Sequence, residues 1–179
     1  MMSNLRIAIV WGSTTGNTEY AAGLLKQALG DKVELCASVD DVSVEDMKAF
    51  DVILIGASTW DIGELQYDWE DRLNQMGEED WSKHYIGFFG CGDGVAYDDT
   101  FADAFGILWE TLESTGAKLI GKCATEGYSF SDSRSLCDDR TKFLGLPLDE
   151  ENQSNLTEGR VNAWAEQIVA ELATKHMAA

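Results

Sequence analysis

Three short segments of this chain hold residue types that could do chemistry together. Ser13-Thr14-Thr15-Gly16-Asn17-Thr18 sets four hydroxyls and one amide side by side, with no Lys or Arg among them. The segment joins an apolar run to a helical pattern. Backbone N–H groups at a helix N-terminus and the positive end of its dipole favour an anion there, and hydroxyls add further donors. The turn matches neither the triphosphate loop G-x-x-x-x-G-K-[ST] nor the dinucleotide fingerprint G-x-G-x-x-G. A terminal monophosphate fits it best; a hydroxyl-rich helix cap without a ligand is the alternative. The second segment, Ser58-Thr59-Trp60-Asp61-Ile62-Gly63-Glu64-Leu65, puts a Trp directly after a buried strand. The third, Cys91-Gly92-Asp93-Gly94-Val95-Ala96-Tyr97-Asp98-Asp99, carries one aromatic among small and acidic residues. Taken singly, Trp60 and Tyr97 are better explained as ordinary lid residues packing on the surface. Beside an anion loop they become two flat faces able to sandwich a planar ring, and the three segments together imply a flat, phosphorylated ligand.

The elements that would position these segments follow from periodicity. Leu5 to Trp11, Val33 to Cys36, Asp51 to Gly56 and His84 to Gly90 are short apolar runs, continuous as in strands buried on both faces. Lys118 to Cys123 begins a fifth strand, and Phe143 to Leu146 reads as another short one. Between the strands, apolar residues recur at helical spacing: Tyr20 to Leu29, Ser43 to Ala49, Trp69-Leu73-Met76, Phe101-Phe105-Leu108-Leu112, and Val161 to Leu172. Strand and helix alternate five times, which predicts a doubly wound α/β sandwich with a parallel sheet and helices on both faces, formed by one domain over residues 1–179. In such a sheet, ligands bind beyond the carboxyl ends of the strands. The three segments follow the first, third and fourth strands, so they meet at that rim. The polar stretch from Thr125 to Lys142 shows no period.

Composition narrows the function. The chain has 179 residues, 32 acids against 13 Lys and Arg, and a formal net charge of −19. Nucleic acid and anionic membranes are repelled by such a chain, whereas a basic protein partner is attracted. The four cysteines show no C-x-x-C spacing and there are two histidines, so no metal site is expected. His84 falls within a strand pattern and His176 near the C-terminus, and neither is assigned a catalytic role. The first residues lack an apolar signal core, and no apolar run reaches a membrane span. A cytoplasmic location with free thiols is expected.

The segments match a family. Ser13 to Thr18 resembles the flavodoxin phosphate loop, Thr59 to Gln66 the first flavin loop, and Gly90 to Tyr97 the second. Gly145-Leu146-Pro147-Leu148-Asp149-Glu150-Glu151-Asn152-Gln153-Ser154 with Leu156-Thr157 resembles the C-terminal region of long-chain flavodoxins. The similarity runs through nearly the whole chain in the right order. It implies the flavodoxin-like strand order 2-1-3-4-5, the family's own order rather than one that periodicity supplies, with a fifth strand split by the insertion at about 125–142. It implies non-covalent FMN. Ser13, Thr14, Thr15, Gly16, Asn17 and Thr18 would hold the phosphate. Trp60 and Tyr97 would stack on the ring faces, Thr59, Cys91, Gly92 and Asp93 would offer mostly backbone contacts to the ring edge, and Ser58, Asp61, Ile62 and Gly63 would also bind the cofactor. Of the cysteines, Cys91 is the one expected to touch the flavin. Two departures stand out: the family often has Asn or Gly at the place of Asp61, and the insertion around Leu136 to Arg140 is slightly longer than usual.

The resemblance implies a low-potential one-electron carrier, not an enzyme, that cycles FMN between semiquinone and hydroquinone. The flavin supplies the redox chemistry and the protein sets its energetics. Acids near the flavin loops would lower the potential, and a peptide flip at Asp61–Ile62 would answer protonation of the ring. Its partners would be redox proteins with basic docking surfaces, such as ferredoxin-NADP reductase as donor and photosystem I or nitrogenase as acceptor. The carrier itself would be a monomer. An FMN-dependent NAD(P)H:quinone reductase shares fold and cofactor, but no basic cluster awaits the NADPH phosphate. A phosphoryl-receiver domain needs acids after the first and third strands to hold magnesium, and Gly12-Ser13 and Ala57-Ser58 stand there.

Overall fold

The computed structural model describes residues 5–178. In chain order its elements are β1 (Ile7–Gly12), α1 (Asn17–Leu29), β2 (Val33–Ser38), α2 (Val44–Lys48), β3 (Val52–Ala57), β4 (Thr59–Trp60), β5 (Glu64–Leu65), α3 (Asp68–Gly77), β6 (Tyr85–Cys91), α4 (Asp103–Leu112), β7 (Lys118–Leu119), β8 (Cys123–Ala124), β9 (Lys142–Phe143), β10 (Leu146–Leu148) and α5 (Thr157–Met177). The main sheet runs β2-β1-β3-β6-β10, with β7 also paired to β6, and all these pairings are parallel.

The split fifth strand is visible in the register. β7 lies beside Tyr85 and Ile86, at the start of β6, and β10 lies beside Phe89, Gly90 and Cys91, at its end. Two short pieces in line thus fill one strand position. The expected Lys118–Cys123 strand stops at Leu119, and the expected Phe143–Leu146 strand divides. Phe143 joins the antiparallel β8–β9 pair, while Leu146 enters the main sheet. The intervening stretch has no period because it packs through scattered aromatics. Tyr128 and Phe130 surround Phe143 and Phe101, with ring centroids 5.0–6.0 Å apart.

The strands are continuous apolar runs because each face of the sheet is covered. Ala8, Val10, Ile53, Ile55 and Phe88 pack with Met47 of α2, Trp69 and Met76 of α3, and Phe105 and Leu108 of α4. Ile7, Ile9, Val52, Leu54 and Phe89 face the other way, onto Ala21 and Leu25 of α1 and Trp164 and Ile168 of α5. Alternate residues of one strand therefore feed opposite cores. Three buried indoles find acceptors for their N–H groups, as burial requires. Trp69 donates to the Gly56 carbonyl (2.9 Å), Trp81 to Met76 (2.8 Å) and Trp164 to Gly121 (2.7 Å). His84 lies just before β6, half-buried, with Nε2 3.2 Å from the Lys48 carbonyl. The side chain of His176 lies outside the described residues.

Candidate functional site

The hydroxyl-rich turn leaves β1 and enters α1 through Gly16, which sits at φ 90° in the left-handed region. A side chain is strained in that region, whereas glycine is not. The Gly16 N–H donates to Ser13 Oγ at 3.0 Å, which closes the turn. No side chain caps α1, so the first-turn N–H groups of Asn17, Thr18 and Glu19 point out of the helix end without an intrahelical partner. α2 shows what a completed cap looks like in the same chain. Ser43 Oγ accepts from the Asp46 N–H (3.1 Å), and Asp46 Oδ2 accepts from the Ser43 N–H (3.0 Å). At α1 the hydroxyls surround an open end instead. Thr18 is buried at 1% exposure, and its Oγ1 makes no hydrogen bond among the described residues.

The second segment forms a tight hairpin. Thr59 pairs with Leu65 and Trp60 with Glu64. Two left-handed residues, Asp61 (φ 43°) and Gly63 (φ 84°), turn the chain between them. A Cβ on Gly63 would come within 2.6 Å of Asp103 Oδ2, so only glycine lets the hairpin seat on the start of α4. Asp is among the few other residues that enter the left-handed region readily. Thr59 Oγ1 accepts from the Ala104 N–H (3.0 Å), and the Trp60 indole donates to Ser58 Oγ (2.9 Å). The indole is therefore fixed at the rim rather than free to swing.

The third segment is tied down by two carboxylates. Asp93 Oδ1 accepts from the N–H groups of Val95 (3.0 Å) and Ala96 (2.8 Å) and from the Asn152 amide (2.9 Å). The Ala96 N–H, then Asn152 and Val95, hold the Asp93 carboxyl below the usual aspartate range. Asp149, buried after β10, accepts from the Gly94 N–H (3.0 Å) and the Asn152 N–H (3.0 Å). The segment that follows the split strand thus braces the loop that carries Tyr97.

These loops bound one open cleft of about 290 Å³ at the carboxyl rim, lined by Thr15, Asn17, Ser58, Thr59, Trp60, Asp61, Cys91, Gly92, Asp93 and Tyr97. Of the other residues named from sequence, Ser13 and Gly16 shape the turn behind it and Thr18 is buried under it. Thr14 is exposed beside it, Ile62 stands out into solvent at 80% exposure, and Gly63 is packed against Asp103. Thr100, Phe101, Ala102, Glu150 and Glu151 also line the cleft and were not foreseen. The helical spacing of Phe101 and Phe105 predicts a helix starting at Phe101, but Ala102 is left-handed (φ 59°) and α4 begins at Asp103, which turns 100–102 back toward the rim. Glu150 and Glu151 lie in the C-terminal motif already recognised, where their position gave the signal.

The electrostatics of the cleft are one-sided. Asp61, Asp93, Glu150 and Glu151 line it, and no Lys or Arg does. Burial pushes the Cys91 thiol up to about 12, so it meets a ligand as a neutral thiol. The Thr18 hydroxyl lies close enough to Cys91 to oppose that rise slightly, without the geometry of a hydrogen bond. The four cysteines are free thiols, and among the described residues no cluster of His, Cys, Asp or Glu could hold a metal.

A doubly wound sheet with an open, hydroxyl-rich turn, two rim aromatics and one shared cleft has the features expected of a protein that takes a flat, phosphorylated ligand. Residues 9–164 match the family model Flavodoxin. The chain is 39% identical over 166 residues to a flavodoxin of Nostoc sp. strain PCC 7120, covering 93% of this chain and 96% of that one. It is 40% identical over 164 residues to flavodoxin 1 of Escherichia coli K12, covering 92% and 93%. Among solved structures it is similar to Fusobacterium nucleatum flavodoxin bound to flavin mononucleotide, with TM-score 0.86, 27% identity, and coverage of 93% of this chain and 98% of that one. The chain belongs to the flavodoxin family.

Proposed function

We propose that the cleft holds one FMN and that the chain carries single electrons between redox proteins in the cytoplasm. Family membership makes it an FMN-based electron carrier rather than an enzyme. The residues fit the cofactor on an independent ground: a buried, unpartnered hydroxyl normally costs stability unless a ligand supplies its partner, and Thr18 Oγ1 is such a group beneath the open end of α1. The first-turn N–H groups with Ser13, Thr14, Thr15, Asn17 and Thr18 would take the phosphate. Trp60 and Tyr97, which both line the cleft, would take the faces of the ring, with Ser58, Thr59, Asp61, Cys91, Gly92 and Asp93 along its edge.

Bound FMN supplies one-electron redox chemistry. The protein's part is electrostatic and steric. Trp60 is held by Ser58, and Tyr97 by the Asp93 and Asp149 anchors, so water is kept from the faces by fixed walls. The acids lining the cleft oppose added negative charge and so lower the potential. Because Gly63 and Asp61 already occupy left-handed angles, the 61–63 turn can exchange peptide orientations at small cost. With a net charge of −19, partners with basic surfaces are steered to the rim, the donor being a ferredoxin-NADP reductase-like protein and the acceptor a photosystem I-like or nitrogenase-like complex. No described helix is long and apolar enough to cross a membrane. The carrier acts as a monomer.

The observation that carries this reading is the meeting of three separated segments at one cleft. The test is a titration of the apo-protein with FMN, followed by quenching of flavin fluorescence. One FMN per chain is expected, with riboflavin bound more weakly. Equal affinity for the two would remove the role given to the phosphate turn.

A further inference from the structure

Gln66 is fully buried, at 0% exposure, yet it is an amide that must satisfy two donors and one acceptor. It follows the Trp60 hairpin directly and reaches across to the turn after β1. Its Nε2 donates to Asp68 Oδ2 at 2.6 Å and to Thr14 Oγ1 at 3.4 Å. Its Oε1 has no partner among the described residues and lies over Gly12, where a Cβ would stand 2.3 Å from it. The orientation of the amide is fixed by chemistry, since a carboxylate only accepts and Nε2 must therefore face Asp68.

We infer that Gln66 is a positioning residue for the phosphate turn, linking it to the hairpin that carries Trp60. A threonine hydroxyl has one proton and two lone pairs. With a lone pair of Thr14 Oγ1 facing the Gln66 N–H, the Thr14 proton is left to donate outward, toward an anion at the open end of α1. The other N–H donates to Asp68, which keeps the amide's donors pointed away from Gly12. Gly12 is forced at its place because Gln66 fills the space that a side chain would need. The bond to Thr14 is long and weak by itself. The short, charge-assisted bond to Asp68 holds the amide in place, and the Thr14 contact follows from that. This inference rests on the FMN reading of the cleft, and it adds that the phosphate turn is positioned by a buried side chain from outside the turn.

The test compares FMN and riboflavin affinities of the apo-protein for wild type, Gln66→Met, Thr14→Val and the double variant. Methionine keeps the length of glutamine without its hydrogen bonds. Gln66→Met is expected to weaken FMN binding about fivefold, within the range of one hydrogen bond, and to leave riboflavin binding within about twofold. In the Thr14→Val background the effect of Gln66→Met on FMN should shrink to under about threefold, because the two substitutions remove the same contact. Equal weakening of both flavins would make Gln66 a packing residue, and an undiminished effect beside Thr14→Val would break the link to Thr14. A measurement on the unaltered chain stands beside these variants should Gln66→Met fail to fold. On titration of the apo-protein with inorganic phosphate, the side-chain amide resonance of Gln66 should shift together with the backbone amides of Asn17 and Thr18. Shifts at Asn17 and Thr18 with none at Gln66 would overturn the inference while leaving the phosphate site intact. Failure of wild type to bind FMN at all would instead overturn the reading on which it rests.

Discussion

Replacing Asp61 by Asn and Glu151 by Gln should raise the more negative of the two one-electron potentials of the FMN-loaded protein. Both carboxylates line the cleft, and both can be neutralised without dismantling it. Asn tolerates the left-handed backbone of Asp61 (φ 43°) as Asp does, and Glu151 is exposed. Asp93 and Glu150 are poorer choices, because Asp93 anchors its loop through three hydrogen bonds and Glu150 accepts from the Thr157 hydroxyl. A charge about 10 Å from the ring, at an effective dielectric of about 40, opposes one added electron by about 0.8 kcal/mol. At about 59 mV per tenfold change for one electron, that is about 35 mV per acid, or about 70 mV for the pair. Spectroelectrochemical titration at about 10 mM salt, where the Debye length is about 30 Å, should show nearly the full shift. At about 1 M, where it is about 3 Å, most of the shift should vanish. A change below about 10 mV at low salt, or one that survives high salt undiminished, would refute the electrostatic argument.

Three further outcomes follow from particular contacts. Thr18→Val removes a buried hydroxyl without a partner, so the apo-protein should gain about 1 kcal/mol by chemical denaturation, while FMN affinity falls. Asp103 is buried at 4% exposure, and desolvation raises its carboxyl above the ordinary range against the opposing Arg134 N–H, which it accepts at 2.7 Å. The folded state then binds the proton more tightly than the unfolded chain, so this group destabilises when ionised and the deficit closes as pH falls from its folded pKa to the ordinary aspartate value. Asp103→Asn, which keeps the acceptor, should raise Tm at pH 7, and that advantage should disappear at acidic pH in thermal scans of the two proteins. Ser43→Ala opens the capping box of α2 and should cost about 1 kcal/mol, with FMN affinity unchanged because α2 does not line the cleft.

Much of the frame was legible because its physics is local. Ile7 to Val10 and Val52 to Ile55 are apolar at every position since they are buried on both faces of a parallel sheet, and continuous runs of that kind state the fold class directly. The turn from Ser13 to Thr18 announced itself by an excess of donors with no cation. What was not legible depends on contacts distant in sequence. Tyr128 and Phe130 sit in a polar stretch, and nothing nearby shows that they close over Phe101 and Phe143. Leu146 to Leu148 completes the strand position begun by Lys118 and Leu119, a pairing that requires knowing where the chain returns after a long excursion. The left-handed Ala102 broke the helical phase that Phe101 and Phe105 suggested, and so hid part of the cleft wall. Gln66 was legible as the end of the first flavin loop but not as a buried residue; its burial follows from the hairpin at one end and Gly12 at the other.

The most direct test is stepwise electrochemical reduction of the FMN-loaded protein, followed by its visible spectrum. Two walls that fix the ring and a rim of carboxylates that resists added charge predict two well-separated one-electron steps, the second far below that of free FMN. A single two-electron step at the potential of the free flavin would contradict the account.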